Sequence, residues 1–204
     1  MPFCRRLFFI LLASLPLLAP PVAAIAAPEI GADAFIRSLG GDAIRMLSDK
    51  SLDQSRRETE FRRLLIQSFD VDMISRFVLG RFWRQATDQQ KAEFRKLFED
   101  YVVKSYANRL SQYSGETLSI KETRPSEEGE VLVTSQIDRP NGPPVRIDWR
   151  CRAEGENYKI IDVVVEGISM AITQRQEFAS VIQNSGGNVQ ALIDQLRAKT
   201  AQLK

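Results

Sequence analysis

Apolar residues recur at steps of three and four through the first half of the chain, then alternate one by one, then return to helical spacing. Ala34, Phe35, Ile36, Leu39, Ile44 and Leu47 make a short helical pattern that Gly40 and Gly41 interrupt. Phe61, Leu64, Leu65 and Phe69 repeat the spacing. Met73, Ile74, Phe77 and Val78 do so again, with Gly80 as the stop. The longest helix comes next. Thr87 and Gln90 have capping-box spacing, and Phe94, Leu97, Phe98, Tyr101, Val102 and Leu110 draw one apolar stripe. The pattern predicts an amphipathic helix of about 25 residues, ending near Gly115.

The period then falls to two. Residues 117–123 alternate weakly and read as an edge strand. Glu130–Asp138 sets Val131, Val133, Ser135 and Ile137 on one face. Residues 145–152 alternate most clearly, with Val145, Ile147, Trp149 and Cys151 opposed to Arg146, Asp148, Arg150 and Arg152. Residues 158–165 are apolar nearly throughout, which fits a strand covered on both faces. The breaks between these runs are short and rich in Pro, Gly and Asn, so the strands should form an antiparallel meander. Two helices close the chain, over 168–181 and 188–202, separated at Gly186 and Gly187. Helices, a meander, then helices again predict an α+β fold.

The N-terminus carries a different signal. Arg5 and Arg6 precede an apolar run over residues 7–18, and Ala24 and Ala26 place small residues where a signal peptidase reads. Residues 1–26 read as a cleaved signal peptide, leaving 27–204 as one exported domain. Cys4 precedes the apolar run, so it is not placed as a lipoprotein cysteine would be. Cleavage lowers the 28 basic residues by two, to match the 26 acidic ones. A strongly basic nucleic-acid surface is not supported. Cys151 alone remains after cleavage, so no internal disulfide is available, and its strand position predicts a small buried residue.

Histidine is absent from all 204 residues. That excludes Ser-His-Asp and Cys-His catalysis, histidine metal sites and histidine pH switching. No P-loop, dinucleotide fingerprint or Gly-x-Ser-x-Gly elbow is present. The acid pairs Glu99-Asp100 and Glu127-Glu128 lie on polar stretches and read as solvated surface. The row Arg146, Asp148, Arg150, Arg152 reads as an outer sheet face with cross-strand partners. The inner sheet face and the long-helix stripe are both rich in apolar residues. They could meet in a filled core or border a cavity for an apolar ligand, and periodicity leaves both open.

One segment is more specific. Val78-Leu79-Gly80-Arg81-Phe82-Trp83-Arg84-Gln85-Ala86-Thr87, followed by a long helix carrying Phe94, Phe98 and Tyr101, resembles the MlaC family, also called the toluene-tolerance auxiliary transport family. The likeness continues at Asn141-Gly142-Pro143-Pro144-Val145-Arg146-Ile147-Asp148. It resumes at Asp162-Val163-Val164-Val165-Glu166-Gly167-Ile168-Ser169-Met170. It runs in one order over most of residues 30–203.

The resemblance implies an NTF2-like α+β fold with a curved antiparallel sheet of about four strands and an apolar pocket between sheet and helices. It implies a periplasmic carrier of phospholipid, with the lipid as cargo and no other cofactor, no metal and no catalytic residue. Its partners would be an outer-membrane lipoprotein complex and an inner-membrane ABC transporter with an MCE-domain subunit. A monomer is expected, supporting outer-membrane lipid asymmetry. A hopanoid-associated branch of the family is similar, so another lipid is the alternative cargo, and a non-catalytic envelope adaptor is the alternative role. Family position and the apolar faces together point to Val78, Phe82, Trp83, Phe94, Phe98, Tyr101, Val133, Ile147, Trp149, Ile160, Val163 and Ile168 as lining or bordering the pocket. On a regular strand Ile160 and Val163 would face opposite ways, so alternation admits only one of them.

Overall fold

A computed structural model describes residues 31–110 and 113–203. The signal-peptide reading of residues 1–26, and Cys4 within it, lie outside the described residues. Six helices and five strands follow in the order α1 (Ala32–Ser48), α2 (Gln54–Ser68), α3 (Val71–Leu79), a 3-10 helix (Gly80–Arg84), α4 (Asp88–Leu110), β1 (Thr117–Pro125), β2 (Glu130–Asp138), β3 (Val145–Glu154), β4 (Asn157–Val165), β5 (Ile168–Ser169), α5 (Met170–Asn184) and α6 (Val189–Gln202), with a 3-10 turn before β2.

Local chemistry fixes most helix starts. The Asp53, Asp70, Ser169 and Asn188 side chains each accept a backbone N–H from the first turn of α2, α3, α5 and α6. The α4 box closes both ways. Thr87 N–H donates to Gln90 Oε1 at 3.0 Å, and Gln90 N–H donates to Thr87 Oγ1 at 3.2 Å. Gly80 ends α3 at φ 58° and ψ −132°, donating its N–H to the Arg76 carbonyl. A residue with a Cβ adopts that conformation only under strain, and a Cβ there would stand 2.9 Å from Arg175 Nε. Gly80→Ala should therefore cost about 1–3 kcal/mol in urea unfolding. An unchanged midpoint would contradict this account of the α3 stop.

The glycines expected to break α1 do not break it. The helix runs straight through Gly40 and Gly41. A Cβ on Gly40 would stand 2.5 Å from Leu118 Cδ2 on β1, so glycine there lets helix and sheet approach closely rather than ending a helix.

The sheet is an antiparallel meander in the order β1-β2-β3-β4-β5, with β1 at the edge. Register puts Val131 opposite Cys151, Val133 opposite Trp149, Ser135 opposite Ile147 and Ile137 opposite Val145, as the alternation predicts. Two features depart from the expectation. Arg150 pairs with Asp162 while Cys151 pairs with Ile160, so Ile161 is an extra residue in β4. This bulge turns both Ile160 and Val163 to the apolar face, which simple alternation forbids. Residue 168 also does not begin a helix. Glu166 (φ 49°) and Gly167 (φ 81°) form a two-residue hairpin turn that pairs Ile168 with Val165 as a fifth strand.

The apolar sheet face packs under α1. Ala32, Ile36, Val133, Cys151, Tyr158 and Ile160 form one buried cluster, with Phe35, Leu39, Phe69, Leu118, Trp149 and Val163 against it. The opposite face is charged and cross-linked. Buried Glu130 accepts from Arg150 Nη2 at 2.6 Å and Arg152 Nη2 at 2.8 Å. Thr134 donates to Asp148 at 2.6 Å directly across the ladder. The run 158–165 is thus not apolar on both faces. Lys159 and Asp162 lie on the charged face, and each fastens a helix. Lys159 Nζ donates to the Ile66 and Gln67 carbonyls near the end of α2. Asp162 accepts from Ser169 Oγ at 2.6 Å and from the Ala171 N–H at 3.0 Å, at the start of α5.

Cys151 is fully buried, and burial pushes its thiol up to about 12. The thiolate is the reactive form, so iodoacetamide at pH 8 should leave Cys151 unlabelled in the native protein and label it fully in urea. Rapid native labelling would contradict its placement.

Candidate apolar ligand site

The helices build a second apolar cluster. Val78, Leu79, Phe82, Phe94, Phe98, Phe178, Ile182, Leu192, Ile193 and Leu196 are buried together, with Trp83 and Tyr101 packed against them. Its centre is aromatic. Phe94 lies 5.9 Å from Phe98 in a stacked pair, and both meet the edge of Phe178, at 5.7 and 6.1 Å between centroids. A hollow of about 30 Å³ touches Tyr101, Phe178, Leu192 and Leu196, enough for about one water.

The twelve residues singled out from the sequence therefore divide. Val78, Phe82, Trp83, Phe94, Phe98 and Tyr101 belong to the helical cluster. Val133, Trp149, Ile160 and Val163 belong to the sheet cluster. Ile147 is buried on the same sheet face. Ile168 is 57% exposed, yet its pairing with Val165, itself opposite Ile147, keeps it on that face. Trp83 sits at the outside of its cluster, with Arg95 at 5.1 Å and Lys91 at 5.9 Å from its ring.

The apolar sheet face is covered unevenly. Near Val133, Cys151 and Ile160 it is sealed by α1. Toward the other end Ile137, Val145, Trp149, Val163 and Val165 are only half-buried, and Ile168 is open. These residues make an apolar strip running across the sheet to its β5 edge. One polar contact organises it. Trp149 Nε1 donates to Ser135 Oγ at 2.8 Å, and Ser135 Oγ donates to the Ile147 carbonyl at 3.2 Å. The indole N–H is thereby satisfied and its ring held against the strip. Such a surface can shield a hydrocarbon ligand and offers it no reactive group.

A larger hollow, about 490 Å³, lies elsewhere. It forms where α2 meets α3, beside α4 and the β3–β4 hairpin. Ile66, Phe69, Val71 and Ala92 give it an apolar part, and none of the twelve residues lines it. Two of the charges along it are held in ion pairs. Arg95 pairs with Asp72 at 3.5 Å, and Glu99 pairs with Arg62. Among the described residues no group of three His, Cys, Asp or Glu side chains could hold a metal ion, and no helix is long and apolar enough to cross a membrane.

Sequence periodicity missed the closing half of the helical cluster. Periodicity places Phe178 in the closing helix over 168–181 without assigning it to the site, and Ile182 lies one residue beyond that range. Ser135 stood among apolar residues on its strand face, and that exception was the available signal for the Trp149 anchor.

A curved, open five-stranded antiparallel sheet, with one apolar face turned to helices and partly uncovered, defines an α+β protein built around an apolar surface. Residues 38–198 match the family model "MlaC protein", and the chain belongs to that family. It is 23% identical to the toluene tolerance protein ttg2D of Pseudomonas putida, over 98% of this chain and 92% of that one. It is 21% identical to the intermembrane phospholipid transport system binding protein MlaC of Haemophilus influenzae, over 78% and 79% of the two chains. Among solved structures, a phospholipid-binding protein from Ralstonia solanacearum in complex with a phospholipid superposes with a TM-score of 0.75. That pair is 25% identical, covering 85% of this chain and 99% of the other.

Proposed function

We propose that this protein is a periplasmic phospholipid carrier, exported by a signal peptide cleaved after Ala26. The observation that carries the reading is the likeness over nearly the whole of a relative that holds a phospholipid. The half-covered strip of Ile137, Trp149, Val163 and Val165 supports it, because it offers apolar surface still facing water.

The physical need for such a carrier is large. Two acyl chains of about sixteen carbons expose roughly thirty methylenes, and at about 0.8 kcal/mol each that is on the order of 25 kcal/mol. A free phospholipid therefore does not cross an aqueous compartment at a useful rate. A carrier covers the tails throughout, and the donor bilayer covers them too, so the net transfer free energy is near zero. Direction then comes from the docking partners, an outer-membrane lipoprotein complex and an ATP-driven inner-membrane transporter with an MCE-domain subunit. The carrier supplies shelter and no bond chemistry.

In this reading the tails lie along the strip, between the sheet and the helical cluster, with Ile147, Trp149, Val163 and Ile168 on the sheet side. The helical cluster forms the opposite wall, and the headgroup stays at the mouth. Lipid-stripped protein incubated with vesicles of radiolabelled phosphatidylethanolamine, then separated by gel filtration, should carry label in its own peak. Label confined to the vesicle fraction would contradict the proposal.

A further inference from the structure

The apolar strip does not end at the sheet edge. Beyond Ile168, Ile172 in the first turn of α5 is 48% exposed, and Phe77 on the neighbouring α3 is 37% exposed. Arg175, one turn after Ile172, stacks over the Phe77 ring at 5.0 Å. That contact joins the two helices into one surface. Gly80, whose missing Cβ leaves room for Arg175, is followed by Arg81, which stacks over Phe82 at 4.9 Å. Arg76 is exposed in the last turn of α3.

These three arginines differ from most others among the described residues. Arg62, Arg95, Arg150, Arg152 and Arg197 all pair with carboxylates. Arg76, Arg81 and Arg175 form no ion pair among the described residues. The nearby acids are already engaged. Asp72 pairs with Arg95, Asp162 holds the start of α5, Glu166 accepts the Arg146 N–H and Glu177 accepts from Gln174. Asp72 is ion-paired, whereas Glu166 and Glu177 keep their charge against neutral donors, so the three arginines stand without an ion pair where three large apolar side chains meet water.

We infer that Phe77, Ile168 and Ile172, ringed by Arg76, Arg81 and Arg175, form a docking surface for an anionic lipid bilayer. Arginines meet lipid phosphates, and aliphatic and aromatic tips enter the boundary beneath them. An acidic protein would satisfy the arginines. A bilayer satisfies the arginines and the three apolar tips together, and it adjoins the open end of the strip. This step rests on the phospholipid reading, since its use is to let a tail pass between strip and bilayer without crossing water.

The test is vesicle co-sedimentation of the mature protein. Vesicles of phosphatidylglycerol and phosphatidylethanolamine are compared with vesicles of phosphatidylcholine alone, and lipid retained by the protein is extracted in parallel. Each arginine at an anionic surface is worth about fivefold in affinity. Arg81→Glu with Arg175→Glu should therefore lower binding to anionic vesicles at least tenfold. Phe77→Ser with Ile172→Ser should weaken it on both sides of a salt titration, while 0.5 M salt weakens the wild type. All variants should keep wild-type helix content and retained lipid. Wild-type protein that ignores anionic vesicles, including one captured instead by an acidic protein partner, would overturn the inference. So would equal binding by the arginine variant. A chain that retains lipid without binding vesicles removes the docking surface and leaves the carrier. One that binds vesicles without ever holding lipid does the reverse.

Discussion

Phe94→Ala is expected to destabilise the lipid-free protein by about 3–5 kcal/mol, the range for removing a large aromatic from a packed core. Phe94 is fully buried and contacts both Phe98 and Phe178 through ring geometry. The loss contains the transfer free energy of the ring and a further penalty for the hole left behind, because the surrounding helices relax into it only in part. Arg197 pairs with Glu93, and Lys104 Nζ donates to the Thr200 carbonyl at 3.2 Å, holding α6 along α4. Urea unfolding of stripped protein is the measurement, since bound lipid would add its own stabilisation. A loss below about 1.5 kcal/mol would mean that these rings line a space instead of filling one. The helical half of the candidate site would then have to be redrawn as open cavity.

Val163→Asp should cut retained phospholipid at least tenfold. The residue is half-buried on the apolar face, opposite Trp149. A carboxylate there keeps its water only while the tail stays away. Covering it with hydrocarbon costs several kcal/mol, and each 1.4 kcal/mol is a factor of ten. Val164→Asp is the matched control. It sits next in the same strand, opposite Asp148 on the charged face. A second carboxylate opposite Asp148 costs the strand at least as much, yet it should leave lipid retention near wild type. Equal loss in both variants would show that the effect comes from a damaged strand, and unchanged retention in Val163→Asp would remove the strip from the site.

Much of this architecture is legible from residues alone, for identifiable reasons. The Thr87–Gln90 box is local, so spacing finds it and the hydrogen bonds follow. The faces of β2 and β3 are set by a period of two, and the register repeats them residue for residue. Burial of Cys151 and pairing of Arg150 and Arg152 with an acid follow from those faces.

What escapes the sequence is set by contacts distant along the chain. Gly40 reads as a helix breaker until Leu118 is seen beside it. Ile160 and Val163 read as exclusive until Ile161 is seen to bulge. Ile168 reads as helical because a two-residue turn at Glu166 and Gly167 leaves only two residues of strand. The candidate site is the least legible part, because a half-covered face and a sealed one carry the same apolar alternation. Only the partial exposure of Trp149, Val163 and Val165 distinguishes them.

Native mass spectrometry of the protein, purified without detergent and followed by solvent extraction, tests the central claim most directly. The carrier account predicts a stoichiometric mass excess on each chain that resolves into phospholipid on extraction. A bare polypeptide mass, still bare after incubation with phospholipid vesicles, would contradict it.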